Sequence, residues 1–308
     1  MIVSKLKNKL KHRNQFFIAI RAFFKDKNIL EVDTPILRRF SVTDPYMNAL
    51  SVINPAGESQ GYLQTSPEHA MKKLLCAGSG DIFQLGKMFR ADECGKIHAL
   101  EFTLLEWYRI GLDHFQLMDE VAEFVQKLVG KKTVKKITYQ DAFISLLGFD
   151  PFDISIELLT DKTEKLLGEL PNNLLFDNYL SLLFSEIIEP SFDPNTLVFI
   201  YGYPESQASL AKTRQHKKNV IADRFEVYLG GMELANGFNE LTDVAEHRQR
   251  FTLDNQIRRQ LNYAEIEMDH DFINALEQGL PQCAGVALGV DRLLMIQQNA
   301  KDINDVLS

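Results

Sequence analysis

Three separated groups of residues have the types and spacing to do chemistry. The first lies in two β-prone runs, 81–90 (DIFQLGKMFR) and 100–109 (LEFTLLEWYR), joined by a polar loop at 91–99. Side chains alternate across a strand, so Phe102, Leu104, Glu106 and Tyr108 share one face, with Thr103, Leu105 and Trp107 on the other. An aromatic ring, a carboxylate and a phenol on one face suit the floor of a small-molecule site. Arg90 ends the first run, and Asp92, Glu93 and His98 occupy the loop. The competing reading is an exposed hairpin.

The second group is RFEVYLGGMELANGFNEL, residues 224–241. Gly230-Gly231 between alternating runs predicts a hairpin with a two-residue turn. Tyr228 then faces Glu233 and Glu226 faces Ala235, with Glu226 and Glu233 diagonal on one face. Two such carboxylates repel unless a cation or donor sits between them. Oxygen ligands of this kind suit Mg²⁺ with substrate phosphates completing its shell. The alternative is that both face solvent. Asn236 and Glu240 follow, and a buried carboxylate there suits an ammonium group on a substrate. The third group, GVALGVDRLLM (285–295), is a small-residue strand, a glycine entry and Arg292 near the first turn of a helix. Free N–H groups plus a guanidinium make a phosphate receptor. Neither G-x-x-x-x-G-K-[ST] nor G-x-G-x-x-G occurs, and alone the segment reads as packing.

These groups need elements to position them. Residues 1–28 predict an amphipathic helix on Leu6, Leu10, Phe17, Ile20 and Phe24, with Lys5, Lys7, Lys9, Lys11 and Arg13 around its first turns. That cluster is either a solvated face or a docking surface for an acidic macromolecule. NILEVDTP (28–35) predicts a short strand and a turn at Pro35. Asp113 can cap a helix to Leu128 that Gly130 stops, with Phe115, Met118, Ala122 and Val125 inward. Residues 131–195 carry helical patterns and read as an insertion between strands. Strands return at 197–201 and 224–234, and the last helix follows Gly289. Strands without βαβ alternation favour an α+β fold in one domain, 1–308.

Composition sets outer limits. In 308 residues, 45% are hydrophobic and 25% charged, ordinary for a globular chain. The net charge of −8 argues against a protein whose main task is gripping a nucleic-acid backbone. Cys76, Cys94 and Cys283 are odd in number and far apart, which excludes a C-x-x-C zinc pair and fits a reducing cytoplasm. No apolar run approaches a membrane span.

Together and in this order, the motifs resemble those of class II aminoacyl-tRNA synthetases. NILEVDTP resembles motif 1, FRADECGKIHALEFTLLEWYR motif 2 and GVALGVDRLLM motif 3. TSPE (Thr65–Glu68), the run from His98 to Tyr108 and ELANGFNEL (Glu233–Leu241) resemble the lysyl-tRNA synthetase core, a mostly antiparallel sheet flanked by helices. The chain starts at motif 1, leaving no room for an anticodon-binding domain, and has Ala287 where those synthetases carry glycine. Both features, with SQASLA (206–211) and RFEVY (224–228), resemble the elongation factor P lysine ligase family. Those truncated paralogues attach (R)-β-lysine to a lysine of elongation factor P. A methyl group at Ala287 would reshape the amino-acid end of the pocket against α-lysine.

The resemblance implies ATP and Mg²⁺ as reactants, elongation factor P rather than tRNA as acceptor, a cytoplasmic setting and, through Pro35, a homodimer. It implies Arg90 on the α-phosphate, Asp92 or Glu93 at the adenine edge, and Phe102 stacked on adenine. His98 and Arg292 would face the terminal phosphates, with Arg90 and Arg292 catalytic. Glu226 and Glu233 would hold Mg²⁺, and Glu233, Leu234 and Gly289 would border the nucleotide. Ser66, Pro67, Glu68, Glu106, Tyr108, Asn236, Glu240 and Ala287 would line the amino-acid pocket, Glu240 on the distal or β-amino group. Motif 2 departs from the family at Arg90-Ala91-Asp92 and at Ala99-Leu100. Competing functions are a stand-alone lysine-activating ligase that charges tRNA or another carrier, and a non-catalytic amino-acid-binding regulator. Retention of Arg90, Glu226, Glu233 and Arg292 weighs against the regulator.

Overall fold

The computed structural model describes residues 2–91, 93–171 and 174–307, which form two compact units: one of residues 1–130 with 240–308, the other of Lys131–Asn239. The first unit opens with helix α1 (Ile2–Asp26). Its buried stripe is Phe16, Ile20, Phe23 and Phe24. Leu6 and Leu10, expected inward, are exposed, because the first turns run past the sheet-facing segment. Phe24 stacks on Phe83 (centroids 4.4 Å) and meets the edge of Trp107 (5.3 Å), so α1 covers the face opposite Glu106.

Strand β1 (Leu30–Glu31) pairs in parallel with β5 (Ile82–Phe89), and β5 pairs antiparallel with β6 (Glu101–Ile110). Between them lie β2 (Leu37–Arg38), β3 (Ser51–Ile53) and β4 (Ser59–Leu63), a small sheet ordered β2-β4-β3, and helix α2 (Glu68–Cys76). Helix α3 (His114–Val129) starts as expected at Asp113, whose side chain accepts from the Gln116 amide, and Gly130 ends it.

The second unit pairs β7 (Thr133–Thr138) in parallel with β8 (Thr196–Pro204). Helices α4 (Tyr139–Leu147), α5 (Ile156–Leu167) and α6 (Phe176–Leu183) lie between them in sequence, so the segment read as an insertion is largely helical but begins with a strand. Tyr139, Phe143, Leu159, Leu180 and Leu183 pack with Val198 and Ile200 in its core. β9 (Thr213–His216) and β8 flank β10 (Asn219–Leu229), which forms the expected hairpin with β11 (Met232–Asn239). Gly230 and Gly231 both take positive φ (65° and 76°), the conformation such a turn requires. Tyr228 faces Glu233 as expected, but a bulge at Val227/Tyr228 sets Glu226 opposite Asn236 rather than Ala235.

The chain returns to the first unit through α7 (Val244–Gln260), α8 (His270–Glu277), β12 (Cys283–Gly289) and α9 (Val290–Gln298). β12 lies antiparallel against β6, with Gly285 opposite Tyr108 and Ala287 opposite Glu106. Arg13 of α1 reaches Asp291 in the first turn of α9 (2.6 Å), Thr103 Oγ1 (2.7 Å) and the Val306 carbonyl (3.2 Å). It is therefore buried and no part of an exposed basic face, unlike Lys7 and Lys11. No helix among the described residues is long and apolar enough to cross a membrane.

Candidate active site

In the first unit Glu106 and Tyr108 share one face of β6, as the strand alternation predicts. Tyr108 donates its hydroxyl to Glu106 Oε1 (2.7 Å), and both are buried. α2 contributes Glu68 at its first position, just after Ser66 and Pro67, and Lys72 one turn later. Lys72 is fully buried, and its ammonium lies 2.6 Å from Glu68 Oε1 and 2.6 Å from Glu240 Oε2. The Glu240 amide donates to the Cys283 carbonyl (3.0 Å), which ties that carboxylate to the start of β12. A Cβ at Gly285 would fall on Glu240 Oε1 and on the Tyr108 ring. Glycine there lets the carboxylate and phenol converge over the strand.

These charges set one another. Burial alone would strip the Lys72 proton, but Glu240 and then Glu68 outweigh it and hold the ammonium above the usual lysine range. Burial likewise pushes Glu68 up, and Lys72, then His69, bring it below the ordinary carboxylate value. Glu106 differs. Burial first and the Glu68 charge second push it up to about 8. His247 of α7, adjacent to this charge cluster, hydrogen-bonds the Asp243 carbonyl through Nδ1 (2.8 Å) and is pushed down to about 4 by burial and then by Lys72.

A second cluster lies along β5, its loop and α9. The Arg90 guanidinium stands over the Phe102 ring (5.1 Å), reaches the Thr65 carbonyl (3.3 Å) and pairs with Glu93 (3.3 Å). Arg292 Nη2 lies 2.7 Å from His98 Nε2, and its Nε donates to the Ile97 carbonyl (3.3 Å). Burial and then Arg292 lower the His98 value, so a neutral ring accepts from the guanidinium. Gly289 precedes the first turn of α9, which sets Arg292 at a helix N-terminus. Ala287 packs against Met88, Phe102 and Leu104, on the ring side of Glu106. Asp92 lies outside the described residues.

In the second unit, Glu226 accepts from Tyr203 Oη (2.6 Å), Tyr228 Oη and Arg224 Nη2, and Arg224 Nε also reaches Asn236 Oδ1 (3.2 Å). Glu233, opposite Tyr228, acts electrostatically on both Arg224 and Tyr228. Asn236 thus joins the Glu226 cluster, and Leu234 is buried beside it in sequence. For Mg²⁺ the donor set fits. Both carboxylates offer hard oxygens from one face, and Glu226 spends three of its roughly four acceptor positions on protein donors. Arg224 pairs with Glu226 and feels the Glu233 charge as well.

Sequence reasoning missed Lys72, Gly285 and the tyrosines on Glu226. The i, i+4 spacing of Glu68 and Lys72 on a helix was a readable signal. The position of Gly285, two residues before Ala287 on one strand face, was another.

The family model described as tRNA synthetases class II (D, K and N) matches residues 1–308. An elongation factor P–(R)-β-lysine ligase of Pseudoalteromonas translucida is 45% identical over 306 residues, 97% of this chain and 94% of the relative. Proteins of the same name from Histophilus somni (strain 2336) and Haemophilus influenzae (strain KW20) are 43% and 42% identical, over 96% and 98% of this chain and 93% and 94% of theirs. With likeness of this depth along nearly the whole length of each protein, the chain belongs to the class II tRNA synthetase family, among the elongation factor P–(R)-β-lysine ligases.

Proposed function

We propose that this protein activates (R)-β-lysine with ATP and transfers it to a lysine ε-amine of elongation factor P, in the cytoplasm and as a homodimer. The observation that carries the reading is the near-full-length likeness to ligases of that name, seated on a pocket whose three carboxylates can receive a diamino acid. In the first step the amino-acid carboxylate attacks the α-phosphorus of ATP in line, forming an aminoacyl-adenylate and releasing pyrophosphate. Arg90 takes the α-phosphate, with Glu93 and Phe102 toward adenine. Arg292, with His98 beside it, takes the terminal phosphates, and Gly289 lets the nucleotide approach the backbone. Charge spreading over the phosphate oxygens then meets fixed guanidinium groups, so catalysis is positioning plus electrostatics. Glu226 and Glu233 would hold Mg²⁺, which when bound supplies further neutralisation of phosphate charge. Glu240 and Glu106 receive the substrate's ammonium groups, with Ser66, Glu68 and Tyr108 completing the pocket of the first unit. In the second step the acceptor amine attacks the activated carbonyl and AMP leaves. Exposed Leu30, Ile36 and Leu37 around Pro35 support a dimer face.

Intact mass of elongation factor P, after incubation with enzyme, ATP and each lysine isomer, tests the reading. A gain of one lysyl residue with (R)-β-lysine is expected. An unchanged mass with every isomer, or preference for α-lysine, overturns it.

A further inference from the structure

Among the described residues the amino-acid pocket holds three carboxylates and a single ammonium, and the ammonium is already committed. Lys72 lies 2.6 Å from both Glu68 and Glu240, so those two have their counter-cation inside the protein. Glu106 has none. Its Oε1 accepts the Tyr108 hydroxyl, and Tyr108 is itself held neutral first of all by burial. Its Oε2 is buried and meets no hydrogen-bond partner among the described residues, in a residue only 2% exposed. The groups that act on it are Glu68 and Lys72 from α2, Tyr108 from β6, and Glu240. His247, next to Lys72, is neutral and adds no charge.

Consider the pocket's charge without substrate. Glu68 and Glu240 against Lys72 leave one net negative charge, with Lys72 and Glu240 sealed from water and Glu68 half-buried. A second, on Glu106, would be a buried anion with one hydrogen bond and no counter-cation of its own, beside a like charge, which is costly unless a cation arrives. A diamino acid brings two ammonium groups. They are matched only when Glu106 is ionised as well, because the three carboxylates minus Lys72 then carry two negative charges.

We propose that Glu106 stands in the empty pocket as a neutral carboxylic acid and gives up its proton when a substrate ammonium group settles beside Oε2. The O–H bond at Oε2 breaks, its electron pair stays on the carboxylate, and the proton passes to solvent. The ammonium then donates to the new anion in a charge-assisted hydrogen bond. Glu106 would thus convert ammonium recognition into proton release, and Lys72 is the positioning residue that makes this necessary by occupying the other two carboxylates. The raised value of Glu106 agrees with this state at neutral pH.

The inference rests on the amino-acid-activating reading, and the test separates the two. Heats of binding of (R)-β-lysine and of α-lysine to the full-length enzyme are measured at pH 7 in two buffers of different ionisation enthalpy. Close to one proton released per site is expected, and Kd should fall by up to about tenfold per pH unit between about pH 6 and pH 7. The E106Q variant, neutral by construction, should release none. Should it bind too weakly to titrate, the wild-type infrared difference spectrum decides. A carboxylic-acid carbonyl band lost on adding amino acid supports the proposal, and its absence overturns it. Binding with a buffer-independent heat overturns this inference alone. No binding of either isomer overturns it together with the reading beneath it.

Discussion

Glu106 and Gly285 show how a single atom can decide the pocket. The ordinary carboxyl value for Glu106 is 4.5, against about 8 in the folded protein. Between those values the unfolded chain has lost the proton and the folded protein keeps it, so stability falls as pH rises across that window and levels off above it. At pH 7 the loss is on the order of 3 kcal/mol for so buried a group. Replacing Glu106 by glutamine should remove that contribution: urea midpoints at pH 7 and pH 9, above the range where His247 adds a slope of its own, should draw together in E106Q and remain apart in wild type. Gly285→Ala acts through volume instead. Its methyl group would fall on Glu240 and Tyr108, both pinned by buried partners, at a typical overpacking cost of about 1–3 kcal/mol. Amino-acid-dependent ATP–pyrophosphate exchange should show the amino-acid KM raised at least about tenfold, with the KM for ATP little changed.

At the scale of elements, α1 serves as a clamp. Arg13 joins it to the first turn of α9 through Asp291, whose other oxygen accepts the Thr103 amide at 2.6 Å. Removing the guanidinium in Arg13→Met strands a buried carboxylate, at a cost of about 3 kcal/mol or more. Because Asp291 directly precedes Arg292, the KM for ATP should rise as well. Adding Asp291→Asn should recover part of the lost denaturant midpoint. The periodicity of Phe24 and the cap at Asp113 were legible in the sequence, since both follow from local rules. The role of Arg13 was not, because an arginine among lysines reads as surface until a partner 278 residues away is known. The bulge at Val227/Tyr228 was equally hidden: two glycines announce a turn but not a register shift beyond it.

For the whole molecule, function was the most legible layer, because three motifs in one order define a site that no single motif could. What stayed hidden was the charge balance among buried groups, which depends on distances no spacing rule supplies; Lys72 is the example. The surface is less constrained. Lys7 and Lys11 stand exposed on α1 of a chain whose net charge is −8, a local basic face on an acidic protein. If that face guides elongation factor P, reversing both charges should lower kcat/KM for the protein acceptor several-fold at low salt and leave pyrophosphate exchange unchanged. Equal rates of modification would remove that role.

The division of the chain into units also sets an order of events. Residues 131–239 are continuous and can complete their own core as soon as they leave the ribosome. The other unit must wait, because its β6 has no β12 to pair with until the last tenth of the chain has been made. Glu240 and Gly285 both belong to the last quarter of the chain, made after Lys72 and Glu106. Until then, a lysine and two glutamates destined for burial stand in water, where none of them is under strain. The pocket therefore becomes acidic and dry only at the close of synthesis, and a nascent chain cut short has no means of holding the amino acid.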